Sequence, residues 1–129
     1  MGYVFYNPNP GGKYVGDCVI RAISHTERQS WETTFVELMV EAYRLFDMPS
    51  SNYVWGSYLR TKGYVRRNLP DTCPDCYTLR QFCDDHPSGK YIVATGTHAV
   101  AVENSRIYDS WDSSDEIVSC YWEKSKEEN

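Results

Sequence analysis

The chain has 129 residues, of which 41% are hydrophobic, 15% aromatic and 24% charged. These values are typical of a globular domain and argue against a disordered chain or a coiled coil, and the length suits one domain. Thirteen basic and eighteen acidic side chains give a formal charge of −5. We therefore expect no nucleic acid partner, because phosphate contacts require a basic surface.

The cysteine content and the start of the chain predict a reducing compartment. Residues Met1 to Pro8 lack the basic and apolar regions of a secretion signal, and no stretch approaches the roughly 20 apolar residues that span a bilayer. We therefore expect a cytoplasmic protein without a membrane partner. Five cysteines are present, an odd number. In such a compartment, reactive or metal-binding thiols are expected rather than a disulfide framework.

The first half of the chain is predicted to be helical after an extended entry segment, residues 1–16, which is rich in Gly, Asn and Pro. The first helix begins after Asp17, a favourable N-cap residue. The second is capped by Ser30, and a third follows the Ser50-Ser51-Asn52 cluster and ends near Gly63. The second helix carries a stripe of apolar residues at helical spacing: Trp31, Phe35, Leu38, Met39, Ala42, Leu45 and Phe46.

The second half is predicted to be mainly β-structure. A short strand is possible from Tyr64 to Leu69, and a short helix capped by Thr78 follows a Cys-Pro-Asp-Cys loop. From Lys90 onward the pattern is typical of an antiparallel meander, ending in a polar tail, residues 123–129. Helices followed by strands predict a single α+β domain, residues 1–129, with the N-terminal helices packed on a C-terminal antiparallel sheet.

One predicted hairpin brings a histidine and an aspartate together. If Asn104 and Ser105 form a two-residue turn, His98 and Asp109 become diagonal neighbours within reach of each other. Side-chain alternation places six residues on their face of the hairpin: His98, Val100, Val102, Ile107, Asp109 and Trp111. Because this face is otherwise apolar, we expect it to turn toward the helices, with the aspartate and histidine satisfying each other.

Cys18 lies in the first turn of the first predicted helix, where free backbone N–H groups and the helix dipole favour a thiolate. A thiolate, an imidazole and an orienting carboxylate are the components of nucleophilic catalysis on an acyl group. Cys18, His98 and Asp109 therefore form a candidate triad. Each also has a structural explanation, since Cys18 suits a buried site, His98 a half-buried strand start, and Asp109 a cap of the following turn.

Three short motifs resemble those of papain-like cysteine peptidases. Gly16-Asp17-Cys18 is similar to the Asp-Cys start of the bacterial double-glycine leader peptidases. His98-Ala99-Val100 is similar to the segment that opens the catalytic-histidine strand of papain-type enzymes, and Asp109-Ser110-Trp111 is similar to their Asn-Ser-Trp segment.

The resemblance implies a papain-like fold and a site in which Cys18 is the nucleophile, His98 the base and Asp109 the orienting residue. Asp17 and Trp111 would support this site, the tryptophan by shielding the histidine–aspartate pair. The implied reaction is hydrolysis of a peptide or protein substrate through a thioester, which needs no cofactor. The same triad would also serve an acyltransferase or a transglutaminase-like enzyme, in which an amine takes the place of water.

The chain departs from the family pattern at the oxyanion hole. Those families place a Gln about six residues before the cysteine, where this chain has Gly12. Because the chemistry needs an amide donor, Asn9 or Asn7 is the candidate replacement. Val19 and Ile20 follow Cys18 instead of the papain-type residues.

A second group of residues has the spacing of a structural zinc site: Cys73, Cys76, Cys83 and His86. Zinc bound there would either support the enzyme or make the chain a non-catalytic, zinc-binding interaction domain. In the alternative interpretation, Cys83 packs with Leu79 and Phe82, and His86 caps the end of the short helix.

Two further patterns have simple structural explanations. A local basic group is expected to be a solvated rim, with a possible role in guiding an acidic substrate segment: Arg60, Lys62, Arg66 and Arg67. An aromatic stripe at helical spacing is expected in the core rather than as a ligand platform: Trp31, Phe35, Trp55 and Tyr58.

Overall fold

A computed structural model describes residues 1–70 and 75–124. Its helices are α1 (Cys18–Thr26), α2 (Trp31–Leu45), α3 (Asn52–Thr61) and α4 (Leu79–Asp85). Its strands are β1 (Gly2–Phe5), β2 (Tyr64–Asn68), β3 (Lys90–Thr95), β4 (His98–Glu103), β5 (Arg106–Asp109) and β6 (Val118–Lys124). The chain is therefore α+β. No helix within the described residues has the length and apolar character needed to cross a membrane.

The strands form one mixed sheet in the order β1-β5-β4-β3-β6-β2. All neighbours pair antiparallel except β1, which runs parallel to β5. The sheet thus differs from the predicted antiparallel meander in two ways. Strand β1 lies inside the predicted entry segment, and β6 pairs with β3, whereas in a meander it would lie beside β5. Without β6, the backbone of β3 would be an unpaired edge next to the buried side chains of Ile92 and Val93.

Both faces of the sheet are covered. Helices α1 to α3 pack on one face around a core of Ala22, Ile23, Leu38, Trp55, Tyr58, Leu59, Tyr64, Ile92, Ala99, Ala101 and Trp122. Helix α4 packs on the other face around Leu79, Phe82, Cys83, Val93, Val100, Val102, Ile107 and Val118.

The predicted orientation of the hairpin face is therefore wrong for its apolar residues. Val100, Val102 and Ile107 turn toward α4 and not toward the N-terminal helices. The physical reason is that β4 is a central strand whose alternate residues Ala99 and Ala101 are buried as well. When both faces of a strand are apolar, alternation alone cannot tell which of them meets a given helix.

All four helices begin where the sequence predicts, but the capping hydrogen bond is missing at α1. Side chains of Ser30, Ser51 and Thr78 accept hydrogen bonds from backbone N–H groups at the starts of α2, α3 and α4, and Thr78 forms a capping box with Gln81. Asp17 holds the N-cap position of α1, but its side chain makes no capping hydrogen bond. The predicted capping role of Asp17 is wrong because its carboxylate binds buried partners described below.

Helix α2 buries less of its apolar stripe than predicted. Leu38 and Ala42 are buried, whereas Phe35 and Met39 are exposed and Phe46 is 91% exposed. The helix packs against α1 and α3 and has no comparable contact with the sheet, so only a narrow strip of its surface is covered. The aromatic stripe divides in the same way, since its α3 members are buried and Phe35 is not.

We expect Phe46→Gly to stabilise the protein. Phe46 ends α2 in the left-handed region, with φ of 55°, and its side chain is almost wholly exposed. Glycine adopts this conformation without the steric cost of a Cβ, so a gain of about 1 kcal/mol in the free energy of unfolding is expected. Urea unfolding measures it. Phe46→Ala keeps the Cβ and is the matched control; an equal gain in both variants would contradict the explanation.

Candidate active site

The ends of three elements bring the candidate triad together. Cys18 is the first residue of α1, His98 the first of β4 and Asp109 the last of β5. The hairpin turns at Asn104 and Ser105, with Val102 opposite Ile107, which confirms the predicted register. The Nε2 of His98 lies 2.6 Å from Oδ2 of Asp109. The diagonal histidine–aspartate contact predicted from the sequence is therefore present.

The environment of Cys18 favours its ionised form. Burial by itself would raise the pKa of the thiol, but hydrogen bonds from the His98 side chain and the Ala99 backbone, together with the charges of His98 and Arg21, lower it overall. For His98, burial works toward a lower pKa, and hydrogen bonds to Asp109 and Cys18 outweigh it, raising the pKa to about 9. Both shifts therefore favour a thiolate next to an imidazolium.

Asp109 is the most heavily bonded carboxylate of the site. It is 1% exposed and accepts hydrogen bonds from His98, from the Ser113 hydroxyl at 2.8 Å and from the backbone N–H of Ser110 at 2.7 Å. Burial tends to raise the pKa of this carboxyl group, yet the hydrogen bond and charge of His98, with the bonds from Ser113 and Ser110, hold it below its usual value. Asp109 therefore stays ionised and keeps His98 protonated.

Arg21 is a part of the site that the sequence analysis missed. It is 6% exposed, and its guanidinium binds Oδ1 of Asp109 at 3.0 Å through Nη2 and Oδ1 of Asp17 through Nη1. The second oxygen of Asp17 accepts a hydrogen bond from the Trp31 indole at 2.8 Å. One signal was available: Asp17 and Arg21 are four residues apart on a helix, the spacing of a side-chain ion pair.

The two support residues implied by the family resemblance have different roles. The Trp111 ring lies beside the His98 ring, with 5.1 Å between their centroids, and shields it on one side while remaining half exposed itself. Asp17 has no direct bond to His98 or Cys18 and acts through Arg21.

The thiol opens into a cleft of about 910 Å³. The cleft begins at Cys18 and His98, passes Cys120 and Trp122 on the sheet, and reaches Arg60 and Arg66. Its walls are the start of α1 on one side and α3 on the other. A cleft of this volume is large enough to hold several residues of an extended chain.

Asn9 and Asn7, the candidate oxyanion donors, lie in the loop before α1. The Asn9 carboxamide oxygen accepts hydrogen bonds from the N–H groups of Gly11 and Lys13, at 2.8 and 3.2 Å, and Asn7 accepts one from the Asn9 N–H. Neither side chain lines the cleft that contains Cys18. An oxyanion role for Asn9 stays a prediction, and its observed contacts order the loop.

The residues of the predicted zinc group are only partly described. Cys73 lies outside the described residues, and no metal-binding cluster is present among those that are described. Cys83 is fully buried with Leu79 and Phe82, and this burial raises its pKa to about 11. The His86 ring N–H donates to the Phe82 carbonyl at 2.8 Å. The zinc site therefore stays a prediction, and two of its residues have other partners.

No family model, no curated protein and no solved structure matches the chain. No relative therefore indicates the chemistry of the site.

We expect Arg21→Met to destabilise the protein strongly. The change would leave the buried carboxylates of Asp17 and Asp109 without their shared cation, at a cost of about 3–5 kcal/mol in the free energy of unfolding. Urea unfolding at pH 7 measures it. Arg44→Met, which breaks an exposed pair with Glu41, is the control and should cost about 1 kcal/mol or less. A similar loss of unfolding free energy in both variants would show that the buried ion pairs of Arg21 contribute no more to stability than the pair of Arg44.

Proposed function

We propose that the protein is a cysteine hydrolase of peptides or amides, with a papain-like arrangement of Cys18 as nucleophile, His98 as general acid and base, and Asp109 as orienting residue. The observation that carries the proposal is the contact chain from thiol to imidazole to buried carboxylate, which opens into a cleft. A reduced thiol of this kind suits a cytoplasmic protein.

In the first half of the proposed reaction, the Cys18 thiolate attacks the carbonyl carbon of the substrate and forms a C–S bond. The imidazolium of His98 then gives its proton to the leaving nitrogen as the C–N bond breaks, leaving a thioester on Cys18. The hydrogen bond from Nε2 to Asp109 leaves Nδ1 as the ring nitrogen for this proton transfer.

In the second half, water attacks the thioester and His98 takes up its proton. The C–S bond breaks, the acid product leaves, and the thiolate and imidazolium are restored. Asp109 remains ionised throughout, since its role is to hold the ring and to stabilise its positive charge.

The negative oxygen formed during each attack needs hydrogen-bond donors. Cys18 is the first residue of α1, and the first intrahelical bond runs from the Arg21 N–H to the Asp17 carbonyl. The N–H of Cys18 therefore has no acceptor within the helix and lies next to the attacking sulfur. We propose this N–H, aided by the helix dipole, as an oxyanion donor.

Alkylation tests the nucleophile. At pH 7 we expect iodoacetamide to modify Cys18 before the other cysteines, because His98 lowers the pKa of its thiol while Cys83 is buried with a raised pKa. In His98→Gln the rate at Cys18 should fall about tenfold or more, since one unit of pKa is a tenfold change in thiolate. Peptide mapping by mass spectrometry measures both.

The matched control is His86→Gln, which removes an imidazole that bonds to Phe82 and not to the cleft. It should leave the rate at Cys18 unchanged. Modification spread evenly over the thiols, or a rate at Cys18 insensitive to His98, would overturn the proposed function.

The pH dependence of alkylation tests the ion pair. Because the pKa of Cys18 is lowered from 9.0, its rate of alkylation should be half-maximal below pH 9.0 and should fall as the pH drops through that pKa. In His98→Gln the midpoint should move upward. Once a substrate is available, hydrolysis should also fall near pH 9, where His98 loses the proton that the leaving group needs. An unchanged midpoint in His98→Gln would contradict the ion pair.

A further inference from the structure

The far end of the cleft carries positive charge without an acidic partner among the described residues. Of the four residues of the basic group, Lys62 pairs with Glu37 at 3.8 Å and Arg67 with Glu123 at 2.7 Å. Arg60 and Arg66 line the cleft instead, and neither has an ion-pair partner within residues 1–70 and 75–124. The chain as a whole has a net charge of −5, so two guanidinium groups in one cleft without a described acidic partner form a local positive site.

Strand geometry explains why these two arginines share the cleft. Arg66 pairs with Trp122, and alternation places both on the sheet face that carries α1 to α3. Arg67, one residue later, points to the other face with Glu123. Arg60 lies in the last turn of α3, and its guanidinium sits over the Trp122 ring, 5.3 Å from the centroid.

Trp122 supplies the ring beneath Arg60 at the same place. It is 3% exposed and lines the cleft, and its indole N–H is buried without a hydrogen-bond partner in the described part of the chain. Such a donor is costly to leave unsatisfied. Two guanidinium groups in one cleft are cationic donors, so the complementary ligand is an anionic acceptor, and a carboxylate matches the fork of an arginine.

The distance between Cys18 and the end of the cleft lined by Arg60 and Arg66 sets the length of the ligand. The backbone of Ala99, which bonds to the Cys18 sulfur, lies in β4, and Arg66 lies in β2. Strands β3 and β6 lie between them, so three inter-strand steps of about 4.8 Å separate the two ends across the sheet, about 14 Å. The strand register also places Arg66 two residues along β2 from Asn68, which shares a row with Ala99, and this adds about 7 Å along the strand. The separation is therefore about 16 Å, which an extended peptide covers with about five residues.

We infer that Arg60, Arg66 and Trp122 form a carboxylate-binding subsite, and that the substrate is a peptide segment with an acidic group about five residues from the bond that Cys18 attacks. The inference rests on the proposed function for the position of that bond, while the subsite itself rests on the cleft alone. The carboxylate belongs either to an Asp or Glu side chain or to the C-terminus of a peptide, and both present the same chemistry.

Binding to the Cys18→Ala protein tests the subsite without any reaction. The probes are hexapeptides of neutral residues in three forms: one with a Glu and an amidated C-terminus, one with Gln and a free C-terminus, and one with Gln and an amidated C-terminus. NMR titration follows the indole N–H of Trp122. We expect at least one carboxylate peptide to bind about tenfold more tightly than the neutral peptide, and the form that does so identifies the source of the carboxylate.

The preference for a carboxylate peptide should disappear when Arg60→Gln and Arg66→Gln are added to the Cys18→Ala protein. It should remain when Arg67→Gln is added instead, since Arg67 lies outside the cleft and is the matched control. Because both cleft arginines are exposed, these variants should fold, and their amide spectra check that they do. Equal binding of all three peptides, or a preference that survives the double arginine change, would overturn the subsite.

The result is independent of the alkylation test. If the carboxylate preference is found but Cys18 is not selectively alkylated, the subsite stands and the hydrolase proposal fails. If alkylation depends on His98 but the three peptides bind alike, the nucleophile stands and the subsite is wrong.

Discussion

The simultaneous binding of Asp109 to His98 and Arg21 is the interaction on which the rest of the site depends. One oxygen of this buried carboxylate binds His98 and the other binds Arg21. Charges therefore alternate in sign along the chain of contacts from Asp17 through Arg21, Asp109 and His98 to Cys18. Burying a single charge is very costly, but here each charge has an opposite neighbour. The proposed catalytic groups and the helix that carries the thiol are held by the same bonds.

This arrangement ties α1 to the hairpin at the point where chemistry is proposed. Arg21 lies one turn beyond Cys18 on α1, so its bond to Asp109 fixes the start of the helix against the ends of β4 and β5. The sheet continues past that point through β3, β6 and β2. The contact between Cys18, His98 and Asp109 therefore lies at one end of the cleft. The strands beyond it form the floor of the cleft, on which we propose that a peptide binds.

The pKa values of Cys18 and Cys83 are shifted in opposite directions. Cys18 lies at a helix start near an imidazole, and its pKa is lowered. Cys83 lies within the apolar core under α4, where burial raises the pKa to about 11. The residue type is the same, and the difference comes from whether a partner charge accompanies the burial. The position in the fold therefore decides which of the two thiols has its pKa lowered and which has it raised.

The sequence by itself determined the local features. Capping residues and apolar spacing located the helices, and the two-residue turn at Asn104 and Ser105 set the register that joins His98 to Asp109. These features depend on neighbours along the chain, which the sequence states directly.

Only the tertiary structure decided what depends on distant residues. The parallel β1, the return of β6 beside β3 and the side of the sheet that each helix covers follow from long-range pairing. The role of Arg21 could not be predicted for the same reason. The sequence around a helical arginine is the same whether its side chain is solvated or binds a carboxylate 88 residues away, as Arg21 does. A sequence shows which charges are present, whereas the fold decides which of them are buried together.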